Sequence, residues 1–568
     1  MPGTSKCRAH EQCTGQKGGV IALAPPRVAP PAPARLWRRP VALPSPRHLR
    51  RIDWFDLAVF VLLAALSMCV LVLDLARIST HGGVWDGTQS AYVVDQLQYM
   101  AWIRDASTHL FASNLFVLHS TPHDYLQPMV AISGGLVALG VTPPIALLVW
   151  QPVAVVGLFV AVRGFVRVQL RSRLAVRAAL VLALFAGLPS MYFDLWLPFW
   201  TWGYQEALLA FACATGSVLL YHRTRKRGRL LWVAAALGAL ASWLHPWQGE
   251  ILLILIVCGE AIMWIGGRRA RLWRPLPVIV ATLLPLAYYV VLSRVDPSWR
   301  LGQLGSRGII PLPELLWPLA PLAVPALLAY RRRPVNFIQA ATRVWPFAAV
   351  AVYLVAENGL GSSPPHAFAG ITVPLAVLAV DGLGSVRWPS LLPRRTITAL
   401  LVLALTVPVA VDKLGVAHGL VKDNKIFTAD ERRALQYLAR NPEPGGVLTP
   451  IHLGALVPFE TGRHTYIGDC YWSLPGCASR NVNSWLVVHW ARILPRYARA
   501  FVWSTGARFL VKDCKGYDHI WPELKKIVLS VHRFGCAAVY ELGQPGQLVQ
   551  SWPASRPPRH LPLVDHST

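Results

Sequence analysis

The chain has 568 residues, 54% of them hydrophobic, and a mean hydropathy of +0.42. That balance excludes a soluble globular protein and points to a polytopic membrane protein. A formal net charge of +27 would suit a nucleic-acid binder. The arginines, however, stand in short clusters between apolar runs, the positive-inside pattern of cytoplasmic turns, so no nucleic-acid partner is expected.

Residues 1–50 are rich in Ala, Pro and Arg without apolar periodicity and read as a disordered basic cytoplasmic tail. No short apolar core lies near Met1, so a secretory signal is not expected, and Cys7 and Cys13 receive no role. The membrane domain is expected over 52–412, opening with an apolar run at 54–76 that is long enough to cross a bilayer.

An outer loop at 78–125 follows. Within it, residues 85–110 read WDGTQSAYVVDQLQYMAWIRDASTHL. Asp95 and Tyr99 are spaced i, i+4 and would share one helical face, with Val94, Leu97, Met100 and Ala101 on a neighbouring stripe. This is the pattern of a helix at the membrane interface that offers a carboxylate to it. An acid four residues before a tyrosine, on the first outer loop, resembles the Asp-Glu-x-x-Tyr motif of GT-C membrane glycosyltransferases, here with Gln96 in place of the Glu. The resemblance implies a mannosyltransferase-like enzyme that moves a sugar from a polyprenyl-phosphate carrier to an acceptor.

Basic clusters at 163–177, 222–229, 268–274, 331–333 and 387–395 mark cytoplasmic turns. Between them lie runs near 145–166, 176–192, 204–221, 230–244, 250–266, 275–293, 313–330, 340–356, 367–384 and 396–412. With the first run, the fold expected is an α-helical bundle of about 11 transmembrane helices with its N-terminus inside. The run at 126–141 is too short to cross and reads as a half-buried helix covered by protein.

Beyond 413 the apolar runs shorten, and residues 413–543 read as a small α/β extracytoplasmic domain. Thr428 and Glu431 form a capping box that opens a helix through Arg440. Strands are expected at 447–449, 465–467, 509–511 and 537–541, and helices near 481–503 and 520–530. Residues 544–568 are Pro-rich and read as a disordered tail. Cys470, Cys477, Cys514 and Cys536 allow three disulfide pairings. The short Pro-Gly loop between Cys470 and Cys477 favours that pair together with 514–536. Four free or metal-bound thiols are the alternative, although no histidines stand at ligand spacing. Cys69, Cys213 and Cys258 lie within spans and read as packing residues.

Sugar transfer from a lipid phosphate needs a base for the acceptor hydroxyl and donors for the departing phosphate. Asp95 is the expected base and Asp86 the second candidate, the latter also readable as a turn residue before Gly87. Substrate contacts are expected from Gln98, Tyr99, Arg104, His245, Glu250 and His366, with Glu206 a weaker candidate. Each has a structural reading too: a headgroup anchor for Arg104, a helix cap for His245, a His245 partner for Glu250. The tryptophans of FDLWLPFWTWGYQE (residues 193–206) read as an aromatic belt or a sugar-stacking surface. No Asp-x-Asp pair is present, so no obligatory metal or other cofactor is expected. The partners implied by the resemblance are a polyprenyl-phosphate-sugar donor, a hydroxyl acceptor and membrane lipids, at the plasma membrane. A transporter or lipid flippase, and a non-catalytic membrane assembly protein, are the alternative readings.

Overall fold

The structure is a computed structural model that describes residues 53–543, except 225–227, 268–272, 306–309, 387–392, 490–494 and 516–521. The tails expected at 1–50 and 544–568, and parts of the basic clusters at 222–229, 268–274 and 387–395, lie outside the described residues.

The long helices form where apolar residues run on without a break and end at Pro, Gly or basic residues. In order they are α1 (Trp54–Thr80), α2 (Val93–His109), α3 (Pro128–Ala138), α4 (Pro143–Leu148), α5 (Trp150–Gln169), α6 (Arg173–Phe185), α7 (Gln205–Arg223), α8 (Leu230–Leu244), α9 (Pro246–Ile265) and α10 (Leu276–Val295). Then come α11 (Pro297–Gly305), α12 (Leu312–Leu316), α13 (Ala320–Leu327), α14 (Phe337–Val355), α15 (Thr372–Leu383) and α16 (Arg394–Asp423). Eight helical stretches among the described residues have the length and apolarity to cross a membrane. They are α1, α4 with α5, α9, α10, α12 through α13, α14, α15 and α16, and α6, α7 and α8 occupy the other three runs read from the sequence. The short run at 126–141 forms α3, only 11 residues long.

One end of the bundle is marked by charge. At the start of α1, Asp53 pairs with Arg167 at 3.4 Å and Arg177 at 3.3 Å, and Asp56 pairs with Arg163 and Arg167. The other end carries a cap domain. Its helices are α17 (Ala429–Arg440), α18 (Ile451–Thr461), α19 (Cys477–His489), α20 (Pro495–Thr505) and α21 (Pro522–Lys525). Its strands are β1 (Val447–Leu448), β2 (Phe509–Lys512), β3 (Val528–Phe534) and β4 (Ala537–Leu542), in the order β1-β2-β4-β3. β1 and β2 are parallel, and the other pairs are antiparallel. The expected α/β domain is therefore present, its capping box at Thr428–Glu431 formed and its cysteines paired 470–477 and 514–536.

Three expectations are corrected. The helix expected at 520–530 ends at Lys525, because Val528–Phe534 alternates inward and outward and pairs with β4 instead. The last span does not stop near 412 but continues as α16 to Asp423, where Lys413 is buried and donates to the Pro189 carbonyl at 2.9 Å. At 465–467 only Thr465 pairs, in a bridge to Val447.

The cap is not a separate globule. Leu97, Met100 and Ile103 of α2 share one apolar core with Leu453, Leu456 and Phe459 of α18 and with Phe509 and Val511 of β2. Burying such side chains is worth about 1.5–3 kcal/mol each, so α2 is fixed as the seat of the cap.

Candidate active site

The turn entering α2 places Asp95. Tyr92 adopts a left-handed conformation (φ 51°) just before the helix. The Gln96 amide holds that turn: its Nε2 donates to the carbonyls of Gln89, Ala91 and Tyr92, and its Oε1 accepts from Gln89 N at 3.0 Å. A carboxylate could not donate to those carbonyls, which gives a physical reason for Gln at this position. Gly203 seals the turn from the other side. Its φ is +141°, and a Cβ there would lie 2.4 Å from Gln96 Nε2.

Asp95 sits in the first turn of α2, partly open but deep among protein atoms. Burial pushes its carboxyl up to about 6. Its field reaches Asp194, Glu206 and Asp469, acids carried by three other segments of the chain. Asp194 is held by the Tyr92 hydroxyl, which donates to it, and lies 3.9 Å from His366 Nε2. Burial raises its carboxyl to about 7, against the lowering pull of the Tyr92 bond. Asp469 comes from the cap; burial raises it to about 8, although it accepts from Tyr471 N at 2.7 Å.

The histidines join this cluster. His245 caps the start of α9, and its ring stacks on that of His366 at 5.2 Å. Trp200, Tyr204 and Trp247 surround His366, at ring separations of 5.7, 5.5 and 4.8 Å. Neither ring nitrogen of His245 has a hydrogen-bond partner, and His366 Nδ1, Trp200 Nε1 and both Glu206 carboxylate oxygens also lack one. Buried polar atoms are ordinarily satisfied, so this concentration of orphaned donors and acceptors is the mark of a site shaped for a polar ligand.

The other sequence candidates fall in two groups. Gln98 and Tyr99 lie one turn beyond Asp95 on α2, and Tyr99 feels the charge of Glu206. Asp86, Arg104 and Glu250 do not join the cluster. Asp86 accepts from the Thr88 backbone (2.9 Å) and hydroxyl (2.8 Å) and lines a small pocket with Asp74, Arg77 and Asn424. Arg104 Nη1 donates to the Phe459 carbonyl at 3.0 Å, tying α2 to α18. Glu250 is half-buried in α9, and no His245–Glu250 pair forms.

Sequence reasoning passed over Asp194, Tyr92, Tyr204 and Asp469. Asp194 stood in a stretch read for its tryptophans and for Glu206. Trp196, Trp200 and Trp202 are not an interfacial belt, since each is at most 1% exposed. Trp196 and Trp202 donate to the carbonyls of Phe185 and Leu66, which anchors the stretch in the helical bundle. Asp469 is brought in only by the cap fold and left no local signal beyond its neighbour Cys470.

A lipid-facing groove of about 380 Å³ lies beside α1 and α5, lined mostly by apolar side chains such as Phe60, Met68, Leu148 and Val155. Its two polar linings, Ser67 and Gln151, connect to the site: Gln151 donates to the Ser67 carbonyl and accepts from Gln89 Nε2 at 2.7 Å. Gln89 in turn is held by Gln96.

No protein-family model and no characterised protein matches this sequence. Solved structures do. The oligosaccharyltransferase of Archaeoglobus fulgidus in its apo form aligns with a TM-score of 0.51 at 13% identity, covering 88% of this chain and 76% of that one. The same organism's oligosaccharyltransferase AglB, in complex with an inhibitory peptide and a dolichol-phosphate, gives 0.49 at 14% identity over 81% and 70% of the two chains. ArnT from Cupriavidus metallidurans bound to undecaprenyl phosphate gives 0.44 at 12% identity over 83% and 98%. The chain thus has the GT-C fold, a helical membrane bundle with a cap. At this identity the likeness defines architecture, and the chemistry rests on the residues.

Proposed function

We propose that this protein is a membrane glycosyltransferase that moves a sugar from a polyprenyl-phosphate carrier to an acceptor hydroxyl on the extracytoplasmic face. The observation that carries the reading is the convergence of Asp95, Asp194, Glu206, Asp469, His245 and His366 at the capped end of the bundle, linked through Gln96, Gln89 and Gln151 to a lipid-facing groove. The groove suits an isoprenoid chain, and the polar cluster suits a phosphosugar.

In this reading the Asp95 carboxylate takes the proton of the acceptor hydroxyl. The oxygen attacks the anomeric carbon from the face opposite the phosphate, and the carbon–oxygen bond to phosphate breaks with its electron pair leaving on the phosphate. The anomeric centre inverts. Groups whose environments separate their proton affinities divide the labour. Near pH 7 Asp95, raised to about 6, is mostly ionised, while Asp469, raised to about 8, is mostly protonated. The orphaned His245, His366 and Trp200 N–H groups are the donors we assign to the departing phosphate. Arg104, expected there from sequence, is engaged by the cap. Gln98 and Tyr99 form the neighbouring wall.

This reading assigns no metal to the transfer step. In this reading the cap lies outside the cell membrane, an orientation supported by the arginines gathered at the opposite end.

The test is transfer in proteoliposomes that carry a panel of radiolabelled polyprenyl-phosphate hexoses and a mixed pool of hydroxyl acceptors. Label should move to an acceptor from at least one lipid donor and from no sugar nucleotide. Movement of intact lipid or solute with no glycosyl transfer would contradict the proposal.

A further inference from the structure

The cap domain holds a second cluster with different chemistry, away from the Asp95 site. Asp513, just after β2, is fully buried, and its carboxylate meets two imidazoles. His489 Nε2, at the end of α19, lies 2.8 and 2.9 Å from the two carboxylate oxygens. His452 Nε2, in the first turn of α18, lies 3.1 Å from Asp513 Oδ2, yet off the line that a hydrogen bond requires, so it has no hydrogen-bond partner. Glu431 of α17, 1% exposed, completes the group: one ligand atom each from Glu431, His452 and Asp513 lie within 4.8 Å of one another.

Two features set this cluster apart from an ordinary hydrogen-bonded trio. Two carboxylates are buried side by side with imidazoles as their near neighbours, and Lys515, a cation that feels both of them, is exposed. Two buried negative charges need compensating positive charge, which protonated imidazoles or a bound cation can supply. The donor set is also specific, one imidazole nitrogen and two carboxylate oxygens, which suits a zinc-type site rather than a calcium or magnesium site built from oxygens alone.

We propose that Glu431, His452 and Asp513 form a structural site for a divalent transition-metal ion of the zinc class, with His489 Nε2 holding the Asp513 carboxylate in place. The ligands come from α17, α18 and the segment after β2, so the ion would clasp three pieces of the cap. Surrounding contacts hold them ready: Glu431 accepts from the Thr428 backbone and hydroxyl and from Cys514 N at 2.9–3.1 Å, and Cys514 is joined to Cys536. Those bonds orient the carboxylate as outer partners orient metal ligands. Because α18 rests on α2, the ion would steady the platform over the membrane site without touching it.

The experiment uses the full chain in detergent, purified on an affinity tag without histidines. Metal content is measured, the protein is stripped with a chelator, and it is then titrated with Zn²⁺ and separately with Co²⁺. The expected result is one equivalent bound per chain, the visible bands of tetrahedral cobalt, and a thermal midpoint that falls on stripping and returns with Zn²⁺. H452Q, at a half-buried ring, should weaken Zn²⁺ binding at least tenfold and remove the cobalt bands, while D95N retains both. Absence of tetrahedral cobalt bands in the stripped wild type, or bands unchanged in H452Q, would overturn the proposal. So would bands lost in D95N alone, which would move the ion to the membrane site.

Discussion

Gln96 shows how one side chain sets the geometry of the site. Its amide donates to three carbonyls at the turn before α2. Restoring the acid of the resembling motif, Gln96→Glu, should therefore harm rather than help. Losing those donors and burying a charge costs roughly 2–4 kcal/mol, so the variant is expected to melt earlier and transfer no more sugar, read by thermal denaturation and the proteoliposome assay. Asp469 offers a second test. Its folded carboxyl is raised from 3.8 to about 8, so the folded chain keeps a proton that the unfolded chain releases. That contribution to stability is complete below about pH 4 and is lost as the pH rises through 8. Asp469→Asn keeps an acceptor for Tyr471 N and removes the titration. Its melting midpoint should exceed the wild type's at pH 8 and approach it at pH 4. At this scale Asp95, His245 and His366 were legible because polar residues beside apolar runs are conspicuous. Asp194 and Asp469 were not, since nothing local distinguishes an acid that tertiary folding carries into a site from one left in a loop.

Among the elements, the stretch between α6 and α7 does more than connect them. Its three tryptophans are buried, and Gly203 lets the chain pass against Gln96. Gly203→Ala meets both an unfavourable φ and a close contact. A loss of about 1–3 kcal/mol is expected, with kcat reduced more than KM because Asp95 is displaced rather than deleted. Unaltered kcat in a folded Gly203→Ala protein would show that the turn does not position the base. Helix periodicity and capping chemistry made α1, α2 and α17 readable from sequence, but not the boundary inside 520–530. There Pro522–Lys525 is helical by its own preference, while Val528–Phe534 is claimed by pairing with β4.

Across the whole molecule, membrane bundle and cap share a core through α2, so they act as one unit. Arg104 is one of the polar ties across that interface. Arg104→Ala leaves the Phe459 carbonyl without that donor, at a cost of about 1–3 kcal/mol. The cap should then be cleaved sooner by protease, with its core otherwise intact. The bundle was legible from hydropathy and arginine placement. How its loops converge was not, because that depends on which helix ends become neighbours.

The most direct measurement is the pH dependence of sugar transfer by wild type and Asp95→Asn. The wild-type rate should fall as one proton binds near pH 6, the value burial gives Asp95. Asp95→Asn, still folded and still binding donor, should lose about 10²–10⁴ of the rate and with it the acid limb. A variant that transfers sugar at the wild-type rate with the same acid limb would show that the proton is taken elsewhere.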